Sequence, residues 1–182
     1  MSDVERLLTA EMVEIKPFDP LHPHAQYCMS QYFRELDQRF DAGFDPSTSI
    51  SADPDELRPP AGLLLVATLR SEPIGCGALK FHKPTEVKTD KLTELKRMWV
   101  AHSARGLGIG RRLLAKLEAE AARNGSRRVR LETNQSLTEA IALYRSSGYV
   151  EVEPFNDEPY ANHWFEKILT GEVAVQQLPD RG

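Results

Sequence analysis

The sequence predicts an α/β fold in which a mixed sheet is flanked by helices. Apolar runs with strand character alternate with segments whose apolar residues recur at helical spacing. A glycine-rich turn joins one such strand to one such helix within residues 98–122. The 182-residue chain is 41% hydrophobic and 27% charged, which is ordinary for a globular domain. We therefore expect one domain over residues 1–170 and a flexible tail over residues 171–182.

The elements before the glycine-rich turn are predicted from apolar periodicity. In the first helix, Cys28, Tyr32 and Leu36 lie one turn apart and form an apolar stripe. The segment 45–60 is rich in Pro, Ser and Asp, which predicts a long loop. The other predicted elements are a strand over residues 13–18, a helix over 25–40, a hairpin over 62–79 and a strand over 95–100.

The elements after the turn follow from caps and alternation. Asn124 and Gly125 supply a helix stop, and the residues from Ser136 to Glu139 read as a capping box that opens a second helix. The predicted elements are a helix over residues 113–122, a strand over 129–133, a helix over 136–148 and strands over 149–153 and 163–169.

The turn has the character of a phosphate-binding loop. Its alternate glycines remove Cβ atoms, so successive N–H groups can point into one concavity beside the positive end of a helix dipole. A dinucleotide fingerprint would need glycine where Arg111 stands, and a Walker loop would need a Gly-Lys-Ser/Thr sequence that is missing. The residues of the turn are Arg105, Gly106, Leu107, Gly108, Ile109, Gly110 and Arg111.

The pattern Arg105-x-x-Gly108-x-Gly110 resembles the acetyl-CoA loop of the GCN5-related N-acetyltransferases, the GNAT superfamily. Tyr144 near a helix end and the Gly148-Tyr149 pair after it follow in the family's order. The resemblance implies a partly splayed sheet, acetyl-CoA as the acetyl donor and an amine acceptor. It also makes a homodimer possible.

The resemblance implies cofactor contacts from the turn and from the strand before it, where Met98, Trp99 and Val100 would lie along the pantetheine arm. Many members also carry a cofactor-contacting Asn seven residues before the tyrosine. That position is Leu137 here, and Asn134 is the candidate replacement.

Acyl transfer to an amine needs a base, an N–H donor and an acid. Tyr144 is the predicted acid for the departing thiolate, and backbone N–H groups at Met98 and Val100 are the predicted donors. Glu94, at the start of the strand, is the first candidate for the base, and Glu132 on the neighbouring strand is the second. We expect direct attack in a ternary complex, with no metal.

Two other function classes are open: an acetyl-CoA-binding module without activity, and a general phosphate-binding protein. The sequence does not distinguish among an amino sugar, a polyamine, a small metabolite amine, a peptide N-terminus and a lysine side chain as the acceptor.

In the family, the first helix and the loop after it form one wall of the acceptor pocket. The candidates there are Phe40, Phe44, Asp37, Asp41 and Asp45.

Charge and hydropathy limit the classes of binding partner that we expect. The net charge of −4 gives no support for nucleic-acid binding. The longest apolar run, residues 61–69, is too short to span a bilayer, and the N-terminal residues lack signal-peptide character. We expect a cytoplasmic protein with no membrane partner.

Overall fold

The computed structural model describes residues 2–50, 52–83 and 91–170, so the predicted tail over residues 171–182 lies outside the described residues. Within the described residues no helix is long and apolar enough to cross a membrane. The helices and strands follow in the order α1 Asp3–Glu11, β1 Val13–Pro17, α2 Pro23–Arg39, β2 Gly62–Leu69, β3 Glu72–His82, β4 Leu92–Val100, α3 Ile109–Arg123, β5 Arg128–Thr133, α4 Thr138–Ser146, β6 Val150–Val152 and β7 His163–Ile168.

The strands form one mixed sheet in the order β1-β2-β3-β4-β5-β7-β6. Neighbouring strands are antiparallel except β4 and β5, which are parallel because α3 crosses over between them. The predicted α/β fold with a mixed sheet flanked by helices is therefore confirmed.

The sheet opens between its two parallel strands. β4 and β5 pair only at three positions, the last joining Glu94 to Arg130, whereas β5 stays paired with β7 along its whole length. On the other side of β4, the register with β3 shifts between Cys76 and Ala78, and Arg97 has a left-handed φ of 60°. This β-bulge bends β4, and residues 95–100 diverge from β5.

Helices cover both faces of the sheet. α3 and α4 pack on one face, where Leu113, Leu117 and Ile141 join a core with Leu95 and Leu131 of the central strands. α2 packs on the other face in a smaller cluster that includes Cys28, Val66 and Trp99. Alternate residues of β5 are buried in the α3 core, so Arg130 and Glu132 project from the opposite face.

Three local predictions need correction. α4 starts from Leu137 with no side-chain cap, and the Ser136 hydroxyl instead donates to Asn134 Oδ1, so the predicted capping box is wrong. The predicted loop over residues 45–60 contains a short 3-10 helix, Pro54–Leu57. β4 begins at Leu92, which places Glu94 inside the sheet rather than at the strand start.

Candidate functional site

The glycine-rich turn leaves open space beside its backbone. Gly106 and Gly108 have positive φ values of 82° and 72°, and a Cβ on either residue would meet nothing within 4 Å. Gly110 differs, because a Cβ there would approach Leu143 Cδ2 at 3.3 Å. The first two glycines thus shape an open concavity, and the third allows α3 to lie close to α4.

The same turn presents a row of backbone donors. In the part of the chain that the structure describes, none of the N–H groups of residues 106–111 donates to a protein acceptor, and the first bond of the helix runs from Arg112 N to Gly108 O. These groups surround the N-terminus of the 15-residue helix α3. Unpaired N–H groups and the helix dipole together favour an anion, so the turn has the chemistry of a phosphate site.

Arg105 is anchored to the protein rather than directed into solvent. Its Nε donates to Val100 O at 3.2 Å, and its Nη2 lies 2.6 Å from Glu35 Oε1 on α2. The same Glu35 oxygen accepts from Arg39, which also pairs with Glu139 on α4. These partly exposed pairs add little stability individually. Their effect is to fix the turn relative to α2 and α4.

A cleft of about 420 Å³ lies between the turn, β4, α2 and α4, and we call it the loop cleft. It has the size and apolar lining of a cofactor site. Leu107 is not part of its lining, because the Leu107 side chain packs against the core. The predicted cofactor residues that line the loop cleft are Met98, Trp99, Val100, Arg105, Gly106, Gly108, Ile109, Gly110 and Arg111.

Asn134 does not line the loop cleft. Its Nδ2 donates to Tyr160 O at 2.7 Å, and its Oδ1 accepts from Ser136 N at 2.8 Å. These bonds use the amide to hold the turn before α4 in place. Leu137, at the family's usual asparagine position, lines the loop cleft with an apolar side chain.

A second cavity of about 100 Å³, the inner cavity, lies beside the loop cleft. The two cavities adjoin, since α2, the β4 bulge and α4 each contribute residues to both. The shared lining residues are Tyr32, Leu36, Met98, Leu137, Ala140 and Tyr144. A group at this junction would contact ligands in both cavities.

Two phenols stand at the junction. Tyr144 is only 5% exposed, and its ring contacts Tyr149 and Phe165 at centroid distances of 5.7 and 6.3 Å. Burial raises the pKa of Tyr144 well above its usual value, and burial raises the pKa of Tyr32 to about 12. Both hydroxyls are therefore protonated at neutral pH and can donate.

Glu94 is the centre of an ion-pair cluster within the sheet. Its carboxylate lies 2.6 Å from Arg130 Nη2, 3.1 Å from His82 Nε2 and 3.5 Å from Lys96 Nζ. Burial would raise the pKa of Glu94, but the neighbouring His82, Lys96 and Arg130 side chains lower it to about 2. Glu94 is also absent from the described lining of both cavities. The geometry therefore gives no support to Glu94 as the base.

Glu132 lines the inner cavity from β5, and its side chain is 10% exposed. Its Oε1 accepts from Lys96 Nζ at 3.0 Å, whereas its Oε2 is buried without a hydrogen-bond donor among the described residues. A buried carboxylate oxygen with no donor is costly in a folded protein.

Aromatic rings form the outer wall of the inner cavity, and we call them the aromatic wall: Phe33, Phe40, Phe44 and Tyr160. Phe44 contacts the other three rings, at centroid distances of 5.6 Å to Phe33, 5.9 Å to Phe40 and 4.8 Å to Tyr160. The predicted contributions of Phe40 and Phe44 to a pocket thus match their positions.

The acidic residues predicted alongside these rings lie outside the described lining of the inner cavity. Asp37 Oδ1 accepts from Phe44 N at 3.0 Å, and Asp45 Oδ1 accepts from Ser47 N at 2.9 Å. Asp41 is exposed. The first two carboxylates therefore hold the backbone of the loop after α2 and do not face a ligand.

Comparison with known proteins agrees with this geometry. Residues 25–149 match the family model of the acetyltransferase (GNAT) family, which covers more than half of the chain. The chain belongs to the GNAT acetyltransferase family. The IAA acetyltransferase of Azospirillum brasilense is 36% identical to this GNAT protein over 135 residues, or 74% of this chain and 84% of the relative.

Solved structures share the GNAT fold. A GNAT-family acetyltransferase from Staphylococcus aureus superposes with a TM-score of 0.69 and 16% identity over 87% of this chain and 99% of that one. A predicted acetyltransferase of Clostridium acetobutylicum, crystallised with acetyl-CoA, superposes with a TM-score of 0.62 and 19% identity over 80% of this chain and 95% of that one. This GNAT protein is thus an acyltransferase of a family that generally uses acetyl-CoA.

Some residues of the GNAT site were not predicted. Tyr32 belongs to the apolar stripe of α2, and its four-residue spacing is equally typical of a core residue. Tyr160 reaches the aromatic wall from a segment without regular structure, where no periodicity exists to read. A hydroxyl-bearing ring within an otherwise apolar stripe was the available signal for Tyr32.

Proposed function

We propose that this protein is an acetyl-CoA-dependent N-acetyltransferase that acetylates a primary amine by direct attack within a ternary complex. The observation that carries the proposal is that two adjoining cavities share lining residues. One is bordered by the unpaired N–H groups of residues 106–111, and the other by Glu132, and they meet at Tyr144. Each reactant then has its own cavity, so no enzyme-bound acetyl group is required.

The residues of the loop cleft fit acetyl-CoA, which supplies an acetyl thioester when bound. The N–H groups of residues 106–111, including that of Leu107, would hold the pyrophosphate. Residues 95–100 of β4, which have no pairing with β5, would bond to the pantetheine arm as a neighbouring strand does. Arg105 would act by keeping the turn in position through Glu35 and Val100.

Two side chains perform the proton transfers in this proposal. An alkylammonium has a pKa of about 10.4, so most of the acceptor is protonated at neutral pH and needs a base. Glu132 takes that role in place of Glu94, because Glu132 lines the inner cavity and Glu94 is absent from the described lining of both cavities. Tyr144, protonated at the junction, donates to the departing thiolate.

Two further expectations belong to the same proposal. They are a cytoplasmic location and a homodimer, the second of which the family resemblance makes possible. Light scattering coupled to size-exclusion chromatography would measure the oligomeric state. An antibody to the protein would show in which fraction of disrupted cells the protein lies.

Replacing Gly108 tests the proposed cofactor site. Gly108→Val is expected to weaken acetyl-CoA binding at least about tenfold, because the β-branched side chain would enter the space that the pyrophosphate needs. Isothermal titration calorimetry gives the Kd.

Gly125→Val is the matched control for backbone strain. Gly125 also has a positive φ, 82°, but it follows the C-terminal end of α3, at the opposite end of the helix from the turn. Both variants carry the same kind of strain, and only Gly108→Val should lose affinity. Unchanged affinity in folded Gly108→Val would contradict the assignment of the turn.

A further inference from the structure

We infer that Glu158 is a positioning residue for the acceptor side of the proposed reaction. It joins two loops from distant parts of the chain: the 44–50 loop, which follows α2, and the 153–162 loop, which connects β6 to β7. Both loops contribute side chains to the inner cavity. The inference rests on the proposed function and adds to it the residue that holds the acceptor cavity in shape.

The 44–50 loop has few attachments to the rest of the domain. No residue from 45 to 50 is buried, so packing against the core does not hold this part of the loop. In the part of the chain that the structure describes, the hydrogen bonds that residues 45–50 make outside their own loop all go to Glu158 or Tyr160. The position of the loop therefore depends on these two side chains.

Glu158 uses one carboxylate oxygen for each loop. Its Oε2 accepts from Ile50 N at 2.6 Å and from Ser49 Oγ at 3.0 Å. Its Oε1 accepts from Tyr160 N at 3.2 Å, within the 153–162 loop. The second bond orients the carboxylate, and the first two fix the end of the 44–50 loop to it.

The link is made by a buried charge. Glu158 is only 8% exposed, and among the described residues it forms no ion pair with a Lys, Arg or His side chain. A buried carboxylate is unfavourable unless hydrogen bonds compensate for the lost water. Hydrogen bonds to an ionised acceptor are also stronger than those to a neutral one. The three donors therefore stabilise the carboxylate, and the carboxylate holds the donors more firmly than an amide would.

The 153–162 loop is itself fixed to the sheet. Asn162 N donates to Thr133 O at the end of β5, at 3.0 Å, and Tyr160 O accepts from Asn134 Nδ2 at 2.7 Å. These bonds lie on both sides of the inner cavity's outer edge, and they involve the strand that carries Glu132. Glu158 thus fixes the 44–50 loop relative to the proposed base.

Loss of the link should affect one reactant only. The 44–50 loop carries Phe44, whose ring contacts that of Tyr160 at 4.8 Å in the aromatic wall. An amine in the inner cavity would lose contacts if this loop moved away. Acetyl-CoA in the loop cleft would not, because neither loop contributes to the described lining of that cleft. The side chains from the two loops that line the inner cavity are Phe44, Ser49, Ile50, Glu158, Tyr160 and Ala161.

Glu158→Ala tests this role by steady-state thiol release from acetyl-CoA. The amines are isoamylamine, phenethylamine, cadaverine, glucosamine and a lysine-containing peptide, and kinetics are compared for those that the unmodified protein acetylates. The KM for the amine should rise about tenfold or more, whereas kcat and the KM for acetyl-CoA should stay within about twofold. Glu158→Gln keeps a neutral acceptor oxygen and should raise the amine KM less.

Glu118→Ala is the matched control. Glu118 is another largely buried carboxylate, with a side chain 17% exposed that pairs with Lys167 Nζ at 2.8 Å, but it is absent from the described lining of both cavities. Its amine KM should equal that of the unmodified protein. A lower kcat with an unchanged amine KM in the Glu158 variants would show a structural role, overturning the inference and leaving the proposed function standing. No thiol release from the unmodified protein with any of these amines would overturn both.

Hydrogen exchange followed by mass spectrometry gives a second readout that needs no amine. In Glu158→Ala the amides of residues 45–50 should exchange about tenfold or more faster than in the unmodified protein, and those of α3 at the same rate. Glu158→Gln replaces it in both experiments where Glu158→Ala does not fold. Equal exchange of residues 45–50 in the variant and the unmodified protein would show that Glu158 does not hold the loop, and would overturn the inference whatever the amine kinetics.

Discussion

Tyr144→Phe is expected to lower kcat by on the order of 10²–10⁴-fold while the Kd for acetyl-CoA stays near that of the unmodified protein. The phenol stands where the two cavities meet, and burial keeps it protonated by raising its pKa. Removing the hydroxyl leaves the ring contacts with Tyr149 and Phe165 in place, so the fold should survive. The loss should therefore fall on the chemical step.

Tyr149→Phe is the matched control for this experiment. Tyr149 is also a buried tyrosine, 4% exposed, and its ring touches that of Tyr144, but it does not line either cavity in the described part of the chain. Steady-state kinetics should show a large decrease in kcat for Tyr144→Phe and little change for Tyr149→Phe. Equal turnover in the two variants would remove Tyr144 from the chemistry and assign it to the core.

Glu132→Gln is expected to lower kcat/KM at neutral pH by on the order of 10²–10⁴-fold, because the variant keeps the shape of the side chain and loses the base. The deficit should shrink as the pH approaches the acceptor's own pKa of about 10.4, where free amine no longer requires deprotonation. A pH profile of kcat/KM for both proteins measures this convergence.

Glu94→Gln separates the two candidate bases. Glu94 is absent from the described lining of both cavities, so it has no contact with an amine bound there. Its replacement should weaken the ion-pair cluster with Arg130 and Lys96 and leave the form of the profile unchanged. A Glu132→Gln profile that coincides with that of the unmodified protein would eliminate Glu132 and return the role to Glu94.

Local patterns in the sequence were sufficient to predict the turn and most of the strands. The φ values of Gly106 and Gly108 and the start of α3 follow from which residues tolerate a left-handed backbone, and this depends on neighbours in the chain. The alternation in β5 likewise predicts which of its residues are buried. Such features require no knowledge of distant contacts.

The residues predicted less well depend on contacts between elements. Glu94 and Glu132 are equivalent by residue type, and both pair with Lys96. Their surroundings differ because Arg130 and His82 also contact Glu94, and because the sheet opens after Glu94. Asn134 matches the polarity of a cofactor ligand, but its amide is used by Ser136 and Tyr160. Contacts between residues that are distant in the sequence determine the roles of these side chains, and such contacts leave no periodic signal in the chain.

The central claim, that the protein transfers an acetyl group to an amine between two adjoining cavities, is tested most directly by a single-turnover experiment. The protein is mixed with equimolar acetyl-CoA, first alone and then with isoamylamine, phenethylamine or another primary amine, and the products and the protein mass are followed by mass spectrometry. The account predicts that acetyl-CoA stays intact in the first mixture, and that CoA and N-acetylated amine form in equal amounts in the second. Tight binding of acetyl-CoA without conversion of any amine would contradict the account and identify the chain as a binding module.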